Sequence, residues 1–417
     1  MKKTAFLYAM ALVLGVTACT PKVGVLRSPD YKGNVGNGNE AKAKSDATSH
    51  DANTKDAGST KKHLNGASIA LVLPFQLDQI SVSSILEKDV KRSALALDFY
   101  QGFQLGLEEL AGKGKNFYLN VLDSRDNDFQ NATLAKSETV TDASIVVGPV
   151  YPKEIKSFGG NLNNKDVLQI NPLAASMPTE FNLPNLVSLT PPIKAHSNAI
   201  AREVAREYSA GDIIILYNTS DNDGRQFLNG MLGAIRQAKS SVNIVSVSSI
   251  TQLNENLSTT GFTHIVAGTT DKLQLKTLVN DLNSKAKEGV YNFQLYGHPL
   301  WDRFDWTVYP DFADLKPKIS SESILKDNLT AVKKFKEAYN TKYGVQPSDH
   351  SYKGYDCAMY FGSLLAKYGQ EQLKDNLVKE TYEGLYSRYK FTYNETWGYV
   401  NEAVAIRNYR YGSFQLQ

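Results

Sequence analysis

The stretch Ile69-Ala-Leu-Val-Leu-Pro-Phe75 is apolar at every position. A strand with both faces apolar has to be covered on both faces, which is the condition of a parallel sheet held between helices. The pattern recurs. Strand-like runs at 117–122, 144–149, 166–171, 186–190, 212–217, 243–248, 263–268 and 292–296 alternate with helix-like segments at 129–140, 195–209, 225–238 and 271–284. Ahead of them a helix is expected over 94–111, where Leu95, Phe99, Phe103, Leu107 and Leu110 recur at steps of four and three. Gly102 and Gly106 lie four apart on that helix and are expected to let it approach a sheet closely. Such alternation predicts an α/β fold with parallel sheets and helices on both faces. At 417 residues the chain is too long for one ordinary core, so two compact units are expected.

The last third changes character. Two amphipathic helices are expected at 329–342 and 352–367, followed by strand-like, aromatic-rich stretches, FTYN and AVAIRNYRY, around Gly398. The other end is equally distinctive. Met1-Lys2-Lys3 precedes the apolar run 5–16, which is too short to span a bilayer as a helix and has signal-peptide length. The run ends in Val16-Thr17-Ala18-Cys19, which resembles the bacterial lipobox: an aliphatic residue, two small residues, then cysteine. That order suits cleavage before Cys19 and acylation of its thiol. Each buried methylene of an acyl chain contributes about 0.8 kcal/mol, so several chains hold a protein on a membrane. The plainer alternative is a secretory signal with an accidental cysteine. The second cysteine, Cys357, falls in a helical pattern and is expected to be buried as a small hydrophobe. Residues 20–66 show almost no apolar periodicity, and 37–62 contain no aromatic. Residues 19–66 therefore read as the lipidated cysteine and a flexible linker, following a signal peptide at 1–18.

Composition excludes some partners. Lys plus Arg number 46 against 43 Asp plus Glu, a formal charge of +3, with no basic stripe beyond Lys61-Lys62. A nucleic-acid partner is not expected. Catalytic signatures are missing too: no G-x-S-x-G, no G-x-x-x-x-G-K-[ST], no H-E-x-x-H, and six histidines without metal-ligand spacing. Asp221-Asn-Asp-Gly224 reads as a turn into a helix, since the glutamate that would complete a calcium loop is absent. Asp123, Asp126 and Asp128 read as turn and cap residues before Phe129. No enzyme, cofactor or metal is expected. Binding remains: in open α/β sheets ligands sit beyond the carboxyl ends of the strands.

The body resembles the type 1 periplasmic solute-binding proteins, the group of the branched-chain amino-acid receptors. The likeness covers residues 68–415 and runs through ALVLPF, DFYQGFQLGLEEL, GPVYP, LQINPLAAS, NLVSLTPP, DIIILYNTSDNDGRQF and FQLYGHPLW. It is densest in FKEAYNTKYGVQPSDHSYKGYDCAMYF at 335–361 and continues in YEGLYSRYKF. The resemblance implies two Rossmann-like lobes, joined by three crossing segments, that hinge shut on a small molecule without catalysis. Lobe boundaries are expected at 68–190 plus 300–400 for the first and 191–299 plus 401–417 for the second.

The strand ends, among them Ala174–Ser176, Asn218-Thr219, Thr269-Thr270 and His298-Pro299, together with the same resemblance imply which residues meet the ligand. The expected cleft set is Phe75, Tyr151, Pro152, Lys153, Ala174, Ala175, Ser176, Asn218, Asp223, Thr269, Thr270, Pro299, Trp301 and Asp302. The family's usual grips are thinned here. Tyr151-Pro152-Lys153 stands where hydroxyls and amides receive a ligand carboxylate, and proline removes a donor. Pro299 falls near the place of the acid that holds a ligand ammonium, with Asp302 three residues on. Two functions are therefore expected. One is a lipid-anchored receptor that captures a small solute for an ABC-type transporter permease. The other is an envelope lipoprotein of the same fold that contacts a cell-wall synthase. Both place the chain in the bacterial cell envelope. Thr20 after the cysteine resembles the signal for the outer membrane, facing the periplasm.

Overall fold

The structure is a computed structural model that describes residues 22–27, 66–81 and 83–417. Cys19, the signal peptide and most of the expected linker lie outside the described residues. The apolar runs form two sheets. The first has the strand order Lys22–Leu26, Phe117–Asp123, Ala67–Leu73, Ile145–Val147, Leu168–Asn171, Leu186–Ser188, Gly398–Asn401, Phe391–Asn394. Its six inner strands are parallel, and only the strand at each edge runs antiparallel to its neighbour. The second has the order Ser413–Leu416, Ala405–Arg410, Lys318–Ser321, Asn292–Gly297, Phe262–Ala267, Ile213–Tyr217, Ile244–Val247. Ile69 to Leu73 are wholly buried, as a strand covered on both faces requires. The chain passes between the sheets after Ser188, after Ser321 and after Asn401.

Sheet membership corrects the expected boundary. Lys318–Ser321 pairs parallel with Asn292–Gly297 and antiparallel with Ala405–Arg410, so 300–321 belongs with the second lobe, not the first. The linker expectation is also corrected in one place. Lys22–Leu26 is a strand on the open edge of the first sheet, opposite Phe117–Val121, where a free tether was expected from residue 19 onward.

Helix Glu87–Gly112 and helix Asp349–Tyr368 pack along each other on the first sheet. Gly102 and Gly106 serve this helix–helix seam rather than a sheet. A Cβ on Gly102 would collide with the Ser351 carbonyl, and one on Gly354 with the Phe99 carbonyl. Phe99, Phe103, Leu107, Cys357 and Phe361 are buried beside the seam. Burying each large side chain contributes roughly 1.5–3 kcal/mol. Two expected helices are interrupted. Residues 129–140 divide into Asp128–Leu134 and Glu138–Thr141; residues 225–238 divide at Gly230, whose φ of 74° leaves the helical region.

The second lobe is built differently. Trp301, Trp306 and Phe312 form an aromatic core, with the Trp306 and Phe312 rings stacked 3.7 Å apart. Below the cleft, Lys318 reaches Glu203 at 2.9 Å and also contacts Glu207, while Arg206 holds Glu203 at 2.6 Å. The Tyr296 hydroxyl donates to Glu207 at 2.7 Å and lies 3.1 Å from His264, whose other ring nitrogen is 3.1 Å from Asp212. Burial pushes the His264 pKa down against the pull of Asp212.

Candidate functional site

Where strands of both sheets end, the loops and helix starts of the two lobes enclose a cleft of about 480 Å³. Its floor is the crossing region: Thr190 and Pro191 on one connection, Ser321, Glu322 and Ser323 on another. The first lobe contributes Ala175, Asp349 and Tyr386; the second contributes His196, Asp223, Gln226 and the run His298–Arg303 apart from Trp301. Local sequence explains these placements. Asp349 opens helix Asp349–Tyr368, following Pro347-Ser348. Tyr386 is held by the buried Asp356, whose carboxylate accepts the backbone amides of Leu385, Tyr386 and Ser387 at 2.7–2.8 Å. The Tyr386 hydroxyl then donates to Asp349 at 3.2 Å.

The charge of the lining is uneven. Four of its charged groups are carboxylates, Asp223, Asp302, Glu322 and Asp349, and one is a guanidinium, Arg303. Two of the acids are neutralised by neighbours: Arg407 pairs with Asp302 at 2.8 Å, and Lys353 with Glu322 at 2.6 Å. Among the described residues no Lys, Arg or His pairs with Asp223 or Asp349. Among the described residues Asp223 receives a long bond from the Thr270 hydroxyl, 3.4 Å. The two histidines add no charge at neutral pH. Burial lowers His196 to about 4, with Glu322 opposing the shift, and lowers His298 to about 4 against Asp223 and Asp221. His196 bonds Ser320 at 3.0 Å, and His298 accepts the Leu300 amide at 3.1 Å. Two unpaired carboxylates thus face one cavity from opposite lobes. An ammonium group beside either carboxylate would make a charge-assisted hydrogen bond to it.

The structure distributes the expected residues unevenly. Ala175, Asp223, Pro299 and Asp302 line the cleft. Trp301 does not: its ring is wholly buried and its indole donates to the Thr269 carbonyl at 2.8 Å. Thr269 is buried with it, and Thr270 bonds Asp221 at 3.1 Å. Asn218 lines a separate groove with Thr219 and Arg225. Phe75 is turned into the first core, edge-on to Tyr100. Ala174 packs beside Phe181 and Leu183, and Ser176 is half-buried outside the lining set. The loop Tyr151-Pro152-Lys153 also lies outside that set. Pro152 starts helix Pro152–Asn161, and the Glu154 carboxylate turns back on that helix start, receiving the Tyr151 amide at 3.4 Å and Asn131 at 3.0 Å.

Sequence reasoning placed His298 at a strand end facing the ligand but missed His196, Arg303, Glu322, Asp349 and Tyr386. A single signal was available for Asp349: an acid at the first turn of an amphipathic helix beginning after Pro-Ser.

No protein-family model matches the chain, and no curated protein does. Solved structures do. An ABC transporter substrate-binding protein from Desulfitobacterium hafniense, solved in complex with Leu, matches at 15% identity and a TM-score of 0.51, covering 84% of this chain and 100% of its own. A putative branched-chain amino acid ABC transporter protein from Rhodospirillum rubrum matches at 16% identity and a TM-score of 0.55, with the same coverage. The chain has the type 1 periplasmic binding fold. Its two sheets, three crossings and inter-lobe cleft are the features of that fold that position the site.

Proposed function

We propose that this protein captures a small polar solute between its lobes, that the solute carries an ammonium group, and that it is passed to an ABC-type transporter. The observation that carries the reading is the pair Asp223 and Asp349, from opposite lobes, without a cationic partner among the described residues and facing a cleft of about 480 Å³. A bound ammonium that bridges them favours the closed form, because it gains from each carboxylate only when the lobes approach. Arg303 on the same wall accepts an acid group of the same molecule, so an amino-acid-like solute fits. Catalysis forms no part of the reading. The protein is held in the bacterial envelope through Cys19, in the outer membrane on its periplasmic side.

Thermal unfolding against amino acids, diamines and dicarboxylates tests the capture. At 100 times its dissociation constant a true ligand stabilises the protein by about 2.7 kcal/mol. An amine-bearing solute is expected to raise the unfolding temperature, with the rise reduced in Asp349→Asn. A flat response across the panel would contradict the receptor reading and favour a contact with a cell-wall synthase. Cys19→Ala is expected to move the protein from the membrane pellet to the soluble fraction; retention after a high-salt wash would contradict the anchor.

A further inference from the structure

The first lobe carries another surface feature, at the sheet edge farthest from the crossings. Lys22–Leu26 runs antiparallel to Phe117–Asp123, with Lys22 opposite Val121 and Leu26 opposite Phe117. The strand therefore enters the sheet at the carboxyl end of its neighbour, where Asp123 sits. Only Thr20 and Pro21 separate Cys19 from Lys22. Three extended residues span at most about 10 Å. A lipid on Cys19 would then attach within about that distance of Lys22, at the Asp123 end of this edge.

The same corner exposes large apolar side chains. The Asp123 carboxylate accepts the amides of Gln76 and Leu77 at 3.0 and 2.9 Å, fixing the loop after Ala67–Leu73 to this end of the sheet. Leu77 is 60% exposed, and where the loop enters helix Glu87–Gly112, Ile85 is 67% and Val90 54% exposed. Phe129, in the first turn of helix Asp128–Leu134, is 82% exposed. Exposed apolar side chains that follow two neighbouring strand ends mark a contact surface. The position of the N-terminal strand says what covers it.

We infer that this corner of the first lobe rests on the bilayer that holds the Cys19 lipid. The body is then fixed against the membrane by an edge strand, with the side of the cleft away from the crossings turned toward the lipid, instead of riding on a long leash. The inference rests on the lipid-anchor reading above.

The test uses the full lipidated chain in vesicles of phosphatidylethanolamine and phosphatidylglycerol carrying nitroxide-labelled acyl chains. Phe129→Cys or Tyr411→Cys receives a thiol-reactive fluorophore; Cys357 is wholly buried and does not compete. Tyr411 is 95% exposed and lies in the turn between the last two strands, at the far end of the second lobe. The label at 129 is expected to be quenched severalfold more strongly than the label at 411. Equal quenching in membrane-bound protein would overturn the apposition while leaving the anchor intact. Recovery of the wild-type chain in the soluble fraction would overturn both. Sedimentation of Cys19→Ala is expected to show a monomer; a dimer abolished by Phe129→Ser would assign the patch to a second copy and overturn the inference.

Discussion

The two lobes share an architecture but hold it together by different means. The first relies on close approach: helix Glu87–Gly112 meets helix Asp349–Tyr368 where Gly102, Gly106 and Gly354 leave no room for a side chain. The second relies on compensated charge, with Lys318, Glu203, Glu207 and Arg206 set beside the His264–Asp212 pair. Packing is sensitive to volume and indifferent to pH. A buried ion network is the reverse, because removing one member strands the others in a poorly solvating interior. The cleft lies between them, and burial perturbs a titrating group on each side: His196 and His298 of the second lobe are lowered to about 4, and Asp356 behind Tyr386 in the first is raised to about 6.

The largest effect expected from this contrast is Lys318→Met. It removes a cation that is 8% exposed and leaves Glu203 and Glu207 short of a partner, a change that costs about 3–5 kcal/mol. Urea denaturation monitored separately in each lobe should show the loss beginning in the second. A matching loss in the first lobe alone would refute the division of labour.

Acid is the next lever. His196 and His298, both of the second lobe, titrate near 6.5 when unfolded and at about 4 when folded, because burial disfavours the cation. A depressed folded pKa lends stability that is intact above pH 6.5 and lost as the pH falls to 4, about 3 kcal/mol for each histidine. Equilibrium unfolding at pH 7 and pH 4.5 should show this slope, and His298→Gln should flatten it. An unchanged slope in that variant would remove His298 from the account.

Gly354→Ala sharpens the other side of the comparison. The added Cβ meets the Phe99 carbonyl, and overpacking of this kind costs typically 1–3 kcal/mol. The loss should be the same at pH 7 and pH 4.5, which differential scanning calorimetry resolves. The smallest effect is expected on the surface. Lys91→Ala breaks a pair with Glu87 whose side chains are 75% and 82% exposed, and the midpoint of unfolding should barely move.

Much of the fold is legible in the sequence because continuous apolar runs leave few alternatives. The strand expected at 117–122 spans Phe117–Asp123, and that expected at 292–296 spans Asn292–Gly297. Legibility fails where pattern gives way to tertiary context. Lys318–Ser321 has a single apolar residue, Ile319, and becomes a strand only because neighbours on both sides complete its hydrogen bonds. Lys22–Leu26 is short, contains a glycine and borders a polar stretch, so nothing local marks it as an edge strand. The site suffers most. The resemblance placed Trp301 at the cleft, but its ring turns inward to the Thr269 carbonyl. Asp349 and Asp223 line one cleft only because the two lobes face each other.

The central claim is that the lobes close on an amine-bearing solute gripped from both sides. Spin labels at Phe129→Cys on the first lobe and Leu273→Cys on the second, both exposed positions, report the opening by electron–electron distance measurement. The account predicts a shorter, narrower distance distribution on adding an amine-bearing solute that raises the unfolding temperature, and no such change in Asp349→Asn. An unaltered distribution with that solute bound, or closure that persists in Asp349→Asn, would contradict it.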